Sequence, residues 1–473
     1  MKKIAFAVLA GMLMIAATTT SCKKSDNMPD PPIDTTGNGG GNDTATDIMI
    51  RGVISSSQTW TKNKTYHLRG YVYVTDGATL TIEPGTKIVS NKDSAGVLVI
   101  YRDATINAAG TATEPIVFTS GEASPAPGDL GGIVLVGQAT TNGNHSVLEG
   151  GVDPNFSAFG GSNDEHSSGT LQYVRIEYAG KAVNPGDEVN GLSLYGVGAG
   201  TIIDYVQVVR GLDDAFEFFG GTVNCKHLIA YNCADDDFDM DDGYRGKIQF
   251  AISVKDPVFT DNKGTSGDIS NNFEVDNINP NNGFLFTRAP ITFPVLSNFT
   301  AIGPNNATGT STDYGYGMRW RRGSKFILAN SIVMGSQKAG LDLDDDSTVS
   351  YYKQGISRFY NSFLNASAVA VPYKIDKLDP KAIPPVWDTA SLRVMTETTN
   401  RSRYYATAAD MMLADPFNDA APGLKPTTGS PALTVPAAFD LTELSDSFFD
   451  KVSFIGAFDA TNDWTTGWAI WGK

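Results

Sequence analysis

Two short hydrophobic patterns alternate along the chain from about Ile50 onward. The first is apolar, two variable, apolar, one variable, then small or apolar, at residues 171–176, 203–208, 225–230, 248–253, 296–301, 328–333 and 356–361. The second is an apolar-x-apolar triplet at Ile133/Leu135, Leu192/Leu194, Phe216/Phe218, Phe238/Met240, Phe284/Phe286, Met318/Trp320 and Leu341/Leu343. Ile203 to Phe216, Cys225 to Phe238 and Leu328 to Leu341 all span 13 positions, and compact units begin at Ile203, Cys225 and Ile248, 22 and 23 residues apart. Units of this size, made of short strands and turns, bury their triplets only by stacking on their neighbours. The spacing therefore predicts an all-β, right-handed parallel β-helix. A β-sandwich has equally short strands, but gives no reason for triplets at a constant offset.

Within a strand, the residue between two buried ones points outward. Taking Phe216/Phe218 and its equivalents as inward, one outward column reads Val134, Ser193, Glu217, Asp239, Leu285, Arg319, Asp342. The next reads Val136, Tyr195, Phe219, Asp241, Thr287, Arg321, Asp344. Arg319 beside Asp342 and Arg321 beside Asp344 read as a surface ion-pair ladder of small energetic weight. Glu217 beside Asp239 has no such balance. Two carboxylates on strands about 4.8 Å apart repel by roughly 3 to 4 kcal/mol at an effective dielectric near 20. A raised pKa or a bound cation must offset that, and Ca²⁺ held by Glu217 and Asp239 is the metal expected. Asp213 and Asp214 precede one triplet, Asp235, Asp236 and Asp237 the next, and Asp241 and Asp242 follow. Asp213, Asp214, Glu217, Asp235, Asp236, Asp239 and Asp241 are the candidate ligand-binding residues. The competing account is turn aspartates bonded to their own backbone and to water.

Longer connections at residues 179–190, 256–282 and 303–316 occupy the same turn of successive units. They should wall a cleft floored by the two short acidic units, and they carry Phe259, Phe273, Tyr314 and Tyr316, side chains suited to hydroxyl-rich ligands. His227 stands alone in a strand and reads as a packed or surface residue. Cys225 falls in an apolar column with Ile203 and Ile248, so a buried thiol is expected there and a Cys225–Cys233 disulfide is not.

Composition sets limits. The 473 residues include 49 Gly and 23 Pro with only 19% charged, consistent with many strands and turns. A net charge of −16 disfavours nucleic acid, whose phosphates need Lys and Arg to displace their counterions. Three cysteines exclude a disulfide-built fold. At the N-terminus Lys2 and Lys3 precede an apolar run from Ile4 to Ala17 and then small residues up to Ser21, the pattern of an export signal. The expected organisation is a signal peptide at 1–21, a Pro- and Gly-rich flexible tether at 22–49 and the β-helix at 50–473.

Cys22, followed by Lys23 and Lys24, resembles the lipobox cysteine of bacterial lipoproteins in its loose Bacteroidota form, with Thr19 where Leu is common. That resemblance implies a lipid on Cys22 and an outer-membrane lipoprotein on the periplasmic or cell-surface side, with the membrane as partner through its lipid. Leu80-Thr81-Ile82-Glu83-Pro84-Gly85-Thr86-Lys87-Ile88 and Pro115-Ile116-Val117-Phe118-Thr119 resemble the opening coils of bacterial surface β-helix proteins. Gly429-Ser430-Pro431-Ala432-Leu433 resembles the closing coil of β-helix polysaccharide-active proteins. The ending Phe454-Ile455-Gly456-Ala457-Phe458 with Asp463 to Trp468 is similar to that of a Bacteroidota family of β-helix lipoproteins with the pectin-lyase-like fold.

Asp213-Asp214 followed by Asp235-Asp236 resembles the stacked aspartates of polygalacturonase-type glycoside hydrolases, but that family's later histidine motif has no counterpart. The histidines are His67, His145, His166 and His227, none C-terminal to the acidic units. A β-helix polysaccharide lyase would use acid-bound Ca²⁺ and a basic side chain, for which Arg245 and Lys247 are available. The reading is a monomeric, membrane-anchored extracytoplasmic protein whose acidic cleft binds glycan or another surface ligand with Ca²⁺. The alternatives are a lyase or hydrolase acting in that cleft, and a structural or adhesive surface protein.

Overall fold

The computed structural model describes residues 46–184, 187–260, 269–376 and 387–472. The expected signal peptide, Cys22 and nearly all of the expected tether lie outside the described residues. The first strand, Asp47–Ile54, begins three residues earlier than the sequence suggests.

The strands form one continuous wall wound as a right-handed parallel β-helix, and every pairing along that wall is parallel. The antiparallel exceptions among the described residues are two small hairpins, Lys181–Asn184 with Asp187–Val189 and Leu413–Asp415 with Gly423–Pro426. One face of the wall stacks Leu192–Tyr195, Phe216–Phe219, Phe238–Asp241, Phe273–Val275, Tyr316–Arg321, Ala339–Asp344 and Val371–Asp376. The other two faces are served by single bent strands, Gly169–Glu177, Ile202–Val209, Asn224–Tyr231, Lys247–Val254 and Val295–Ile302. Each bends at one residue with left-handed backbone: Tyr173, Tyr205, His227, Phe250 and Asn298, with φ between 50° and 61°. Asn330 and Asn361 continue the column.

This corner carries its own stack. The rings of Tyr173, Tyr205, His227 and Phe250 lie face to face with centroids 4.3, 4.1 and 5.1 Å apart. Asn361 then donates to Asn330 at 2.9 Å. His227 is thus one rung of a ladder, and its Nδ1 meets Asp204 at 2.7 Å. A C-terminal strap covers the column, running back along the solenoid. Asn361 donates to the carbonyl of Pro436, Asn330 to Ala438, Gln249 to Asp450, Asn298 to Phe454 and Arg175 to Trp468. Trp464 and Trp468 set their edges against the stacked rings.

Inside, Phe216, Phe238 and Leu341 share the inward column and are fully buried. One triplet is corrected. The coil after Phe238 contributes Phe273–Val275, not Phe284/Phe286. Phe284 sits in a connecting loop under the Arg288 guanidinium, and Leu285 is 76% exposed. Both triplets satisfy the apolar-x-apolar rule, and only Phe273 follows an Asn at the place where Asp237 precedes Phe238. The outward columns therefore contain Glu274 and Asp276 where Leu285 and Thr287 were expected. Phe273, Tyr314 and Tyr316 are buried in the wall rather than displayed by loops. Cys225 and Cys233 are free, buried thiols.

Phe238 stacks on Phe216 and Phe273 with centroids 5.3 and 5.5 Å apart. Phe238→Ala should lower unfolding free energy by about 3 to 5 kcal/mol, read from denaturant melts; a cost under about 1 kcal/mol would contradict this packing.

Candidate functional site

The parallel register places Glu217 on Asp239 and Asp239 on Glu274. The turns leading into these strands add aspartates in the same alignment, because each coil repeats the last. Three groups result, each with its carboxylate oxygens within 4.8 Å of one another: Asp213, Asp214 and Asp235; Asp214, Glu217 and Asp239; Asp236, Asp239 and Glu274. Asp214 and Asp239 each belong to two groups, so the seven carboxyls form one continuous row along the solenoid.

Most of the row is covered, and only Glu217 and Asp239 at its centre are partly exposed. Asp213, Asp214, Asp235 and Asp236 are each at most 7% exposed, which corrects both the solvated-turn account and the open cleft floor. Asn190, from the 179–190 connection, donates to Glu217. Two surface hollows, of about 560 and 770 Å³, lie away from the row, beside Arg245 and Lys325 and beside Arg401 and Arg403.

Backbone and side-chain donors hold part of the row. Asp214 accepts from the amide of Asp236 at 2.8 Å, and Asp236 from the amide of Asn271. Among the described residues three cations abut it, Arg319 standing 3.8 Å from Glu274. Lys255, 3% exposed, lies 3.0 Å from Asp237, and Arg321 binds both Glu274 and Asp276. Asp239 Oδ1 is buried with no hydrogen-bond partner. Burial pushes the carboxyls of Asp214, Glu217 and Asp239 well above the usual carboxylate range, and their acidic neighbours add to it: Asp235 and Asp213 for Asp214, Glu149 and Asp239 for Glu217, Asp236 and Asp241 for Asp239. Burial pulls Lys255 down, but Asp237 and Asp236 outweigh it and hold the ammonium charged.

Asp241 is placed differently from the other sequence candidates. It is raised by burial and by Asp242 to about 6, and it faces His145 across 4.0 Å. His145 comes from the connection 137–168, which the repeat pattern did not single out. Arg321 is buried and Arg319 partly so, which makes the expected surface ladder largely internal. Arg319 reaches Asp344 at 2.9 Å and Asp342 at 3.6 Å, whereas Arg321 turns to Glu274 and Asp276. Asp342, fully buried between Arg319 and Lys374 in register, is lifted by burial and by Asp376 to about 8.

The profile of the pectate-lyase-like β-helix domain matches residues 52–409, and the chain belongs to that family. Among solved structures it is similar to that titled crystal structure of pectate lyase Pel9A, with 11% identity, a TM-score of 0.36, and 81% of this chain and 88% of that one covered. Among curated proteins none matches.

Raised carboxyl pKa values carry a sign. Groups that hold protons more tightly when folded favour the fold at low pH, and this contribution is lost as pH rises from the ordinary carboxylate value near 4 through the raised folded value. With divalent ions chelated, the melting temperature should fall between about pH 5 and about pH 8, and Glu217→Gln with Asp239→Asn should flatten the slope. A parent protein equally stable at both ends would contradict the row's electrostatics.

Proposed function

We propose that the chain is an exported, lipid-anchored β-helix that binds Ca²⁺ among Asp214, Glu217 and Asp239. With the ion in place it holds a glycan, best an acidic one, at the loops over the row. The observation that carries this reading is the shared carboxylate row with the buried, unpartnered Asp239 Oδ1. Three acids on adjacent coils leave a charge that an oxygen-seeking cation relieves, and Ca²⁺ accepts six to eight such oxygens at variable angles. A sugar carboxylate or hydroxyl can complete its coordination. The lipid on Cys22 would keep this surface at the membrane through acyl chains rather than a spanning helix.

Family membership favours a second reading, polysaccharide cleavage at the same place. There the ion would neutralise a uronate carboxylate while a basic side chain takes the proton. The two readings separate on products: unsaturated or reducing ends released from polygalacturonate would establish cleavage, and retention without release would establish binding.

An ion that binds only the folded state stabilises it by RT ln(1 + [L]/Kd). Millimolar Ca²⁺ should raise the melting temperature, EDTA should reverse it, and Mg²⁺ should do less because it demands tight octahedral geometry. Glu217→Gln with Asp239→Asn should abolish the calcium response and leave the apo protein no less stable. Glycan retention should then become calcium-independent or vanish. A melting curve indifferent to Ca²⁺ would sink the metal reading.

A further inference from the structure

The connection 137–168 is fastened across the wall beside the carboxylate row. Asn142 donates its amide to the carbonyl of Asp242 at 2.7 Å, and Arg288 Nε donates to the carbonyl of Asn142. Asn279 donates its amide to the Asn144 side chain at 2.7 Å. These bonds hold His145 over the end of the strand Phe238–Asp241. There the backbone turns through left-handed Asp242, with φ 56°, where the preceding coil has Gly220. Asp and Asn tolerate that conformation better than most residues. Asp242 is fully buried, and its carboxylate is directed at the loop.

We propose that His145 Nδ1, Asp241 and Asp242 form a site for one divalent transition ion of the zinc class, separate from the calcium row. Donor atoms of the three residues lie within 4.8 Å of one another. Nδ1 is 2.9 Å from Asp242 Oδ1 and 4.0 Å from Asp241 Oδ2. In a tetrahedral site with bonds near 2.0 Å, neighbouring donors stand roughly 3.3 Å apart, and the two observed separations fall on either side of that. The other ring nitrogen, Nε2, faces Glu149 Oε1 at 3.5 Å. A carboxylate behind a ligating imidazole fixes its orientation and raises its basicity, the usual second partner of a metal-bound histidine. The Phe219 ring closes one side edge-on, with centroids 5.3 Å apart.

The donor set separates this site from its neighbour. One imidazole nitrogen with two carboxylates suits zinc, cobalt or manganese, and the rising affinity along the first row favours zinc over manganese. The row of seven carboxyls offers oxygen alone, which suits calcium. Three carboxylates surround one imidazole, and a dication bound to the neutral ring offsets more of their charge than a single imidazolium does. Asn144 Nδ2, which donates to Asp242 Oδ1 at 2.9 Å, stays within reach of a ligating carboxylate.

Cobalt is the probe, because its visible absorption reports ligand type and zinc displaces it without a spectrum of its own. The folded protein should bind one Co²⁺ with a visible band that zinc abolishes. His145→Gln should weaken binding about tenfold or more, as should Asp242→Asn, while Glu217→Gln with Asp239→Asn leaves it unchanged. Conversely, His145→Gln should leave the calcium-induced rise in melting temperature intact, so the two sites fail independently. Should His145→Gln not fold, the ring-nitrogen resonances of His145 in the parent protein give the same answer, since zinc must shift them. Cobalt binding untouched by His145→Gln, ring resonances indifferent to zinc, or no band below millimolar cobalt would each overturn the site and leave His145 as an ion pair alone.

Discussion

In a parallel register with a constant coil length, every side chain meets its own counterpart one coil away. Nothing offsets the strands, so like faces like. Where the repeated residue is aromatic this gives continuous stacks such as Phe216, Phe238 and Phe273. Where it is asparagine it gives amide ladders such as Asn330 and Asn361. Where it is acidic the same rule forces carboxylates together, and the cost is electrostatic. The row from Asp213 to Glu274 is therefore a direct product of the repeat, on the strands whose inward faces carry the Phe216, Phe238 and Phe273 stack.

The wall handles its charge unevenly, and that unevenness is informative. From Glu274 onward, arginines interleave with acids, so Arg319 and Arg321 neutralise Glu274, Asp276, Asp342 and Asp344 in alternation. Toward the N-terminus the column turns neutral, through Ser193 and Val134. Between these limits the acids rely on protons held by burial, on backbone amides and on Lys255. A stretch of wall that could have been balanced by the device used one coil later instead lacks interleaved cations, and it is there that the calcium site is proposed.

Much of the fold was legible because the offset of 13 residues is a geometric constant of the coil. The inward column, the pairing of Glu217 with Asp239 and the alignment of the aspartate turns all follow from it. What escaped the pattern lies where the coil length breaks. The connection after Lys255 and the one after Asp276 are both long, so two apolar triplets competed for one strand, and the constant offset could not tell Phe273 from Phe284, which follows a Gly. Glu274 and Asp276 were lost with that choice. His145 escaped for a related reason: it stands 97 positions from Asp242, and nothing local to Asn144-His145 announces its partner. The cover over the acids was equally hidden, since alternation tells which way a side chain points and says nothing about what a distant loop lays on top.

The strap on the opposite corner sets an order of events for the chain. It runs back over the coils as far as Trp468, whose bond to Arg175 joins residues 293 positions apart, before Ile470 and Gly472 fasten to Gln207 and Tyr231. A nascent chain that has already wound its coils still lacks the segment that shields Tyr173, Tyr205, His227 and Phe250. Until the strap is laid down, these stacked rings face solvent as an oily stripe along an otherwise finished solenoid. The interval between winding and fastening is thus when a partly made molecule is most prone to stick to another, and a chain cut short by a few dozen residues would remain in that state permanently.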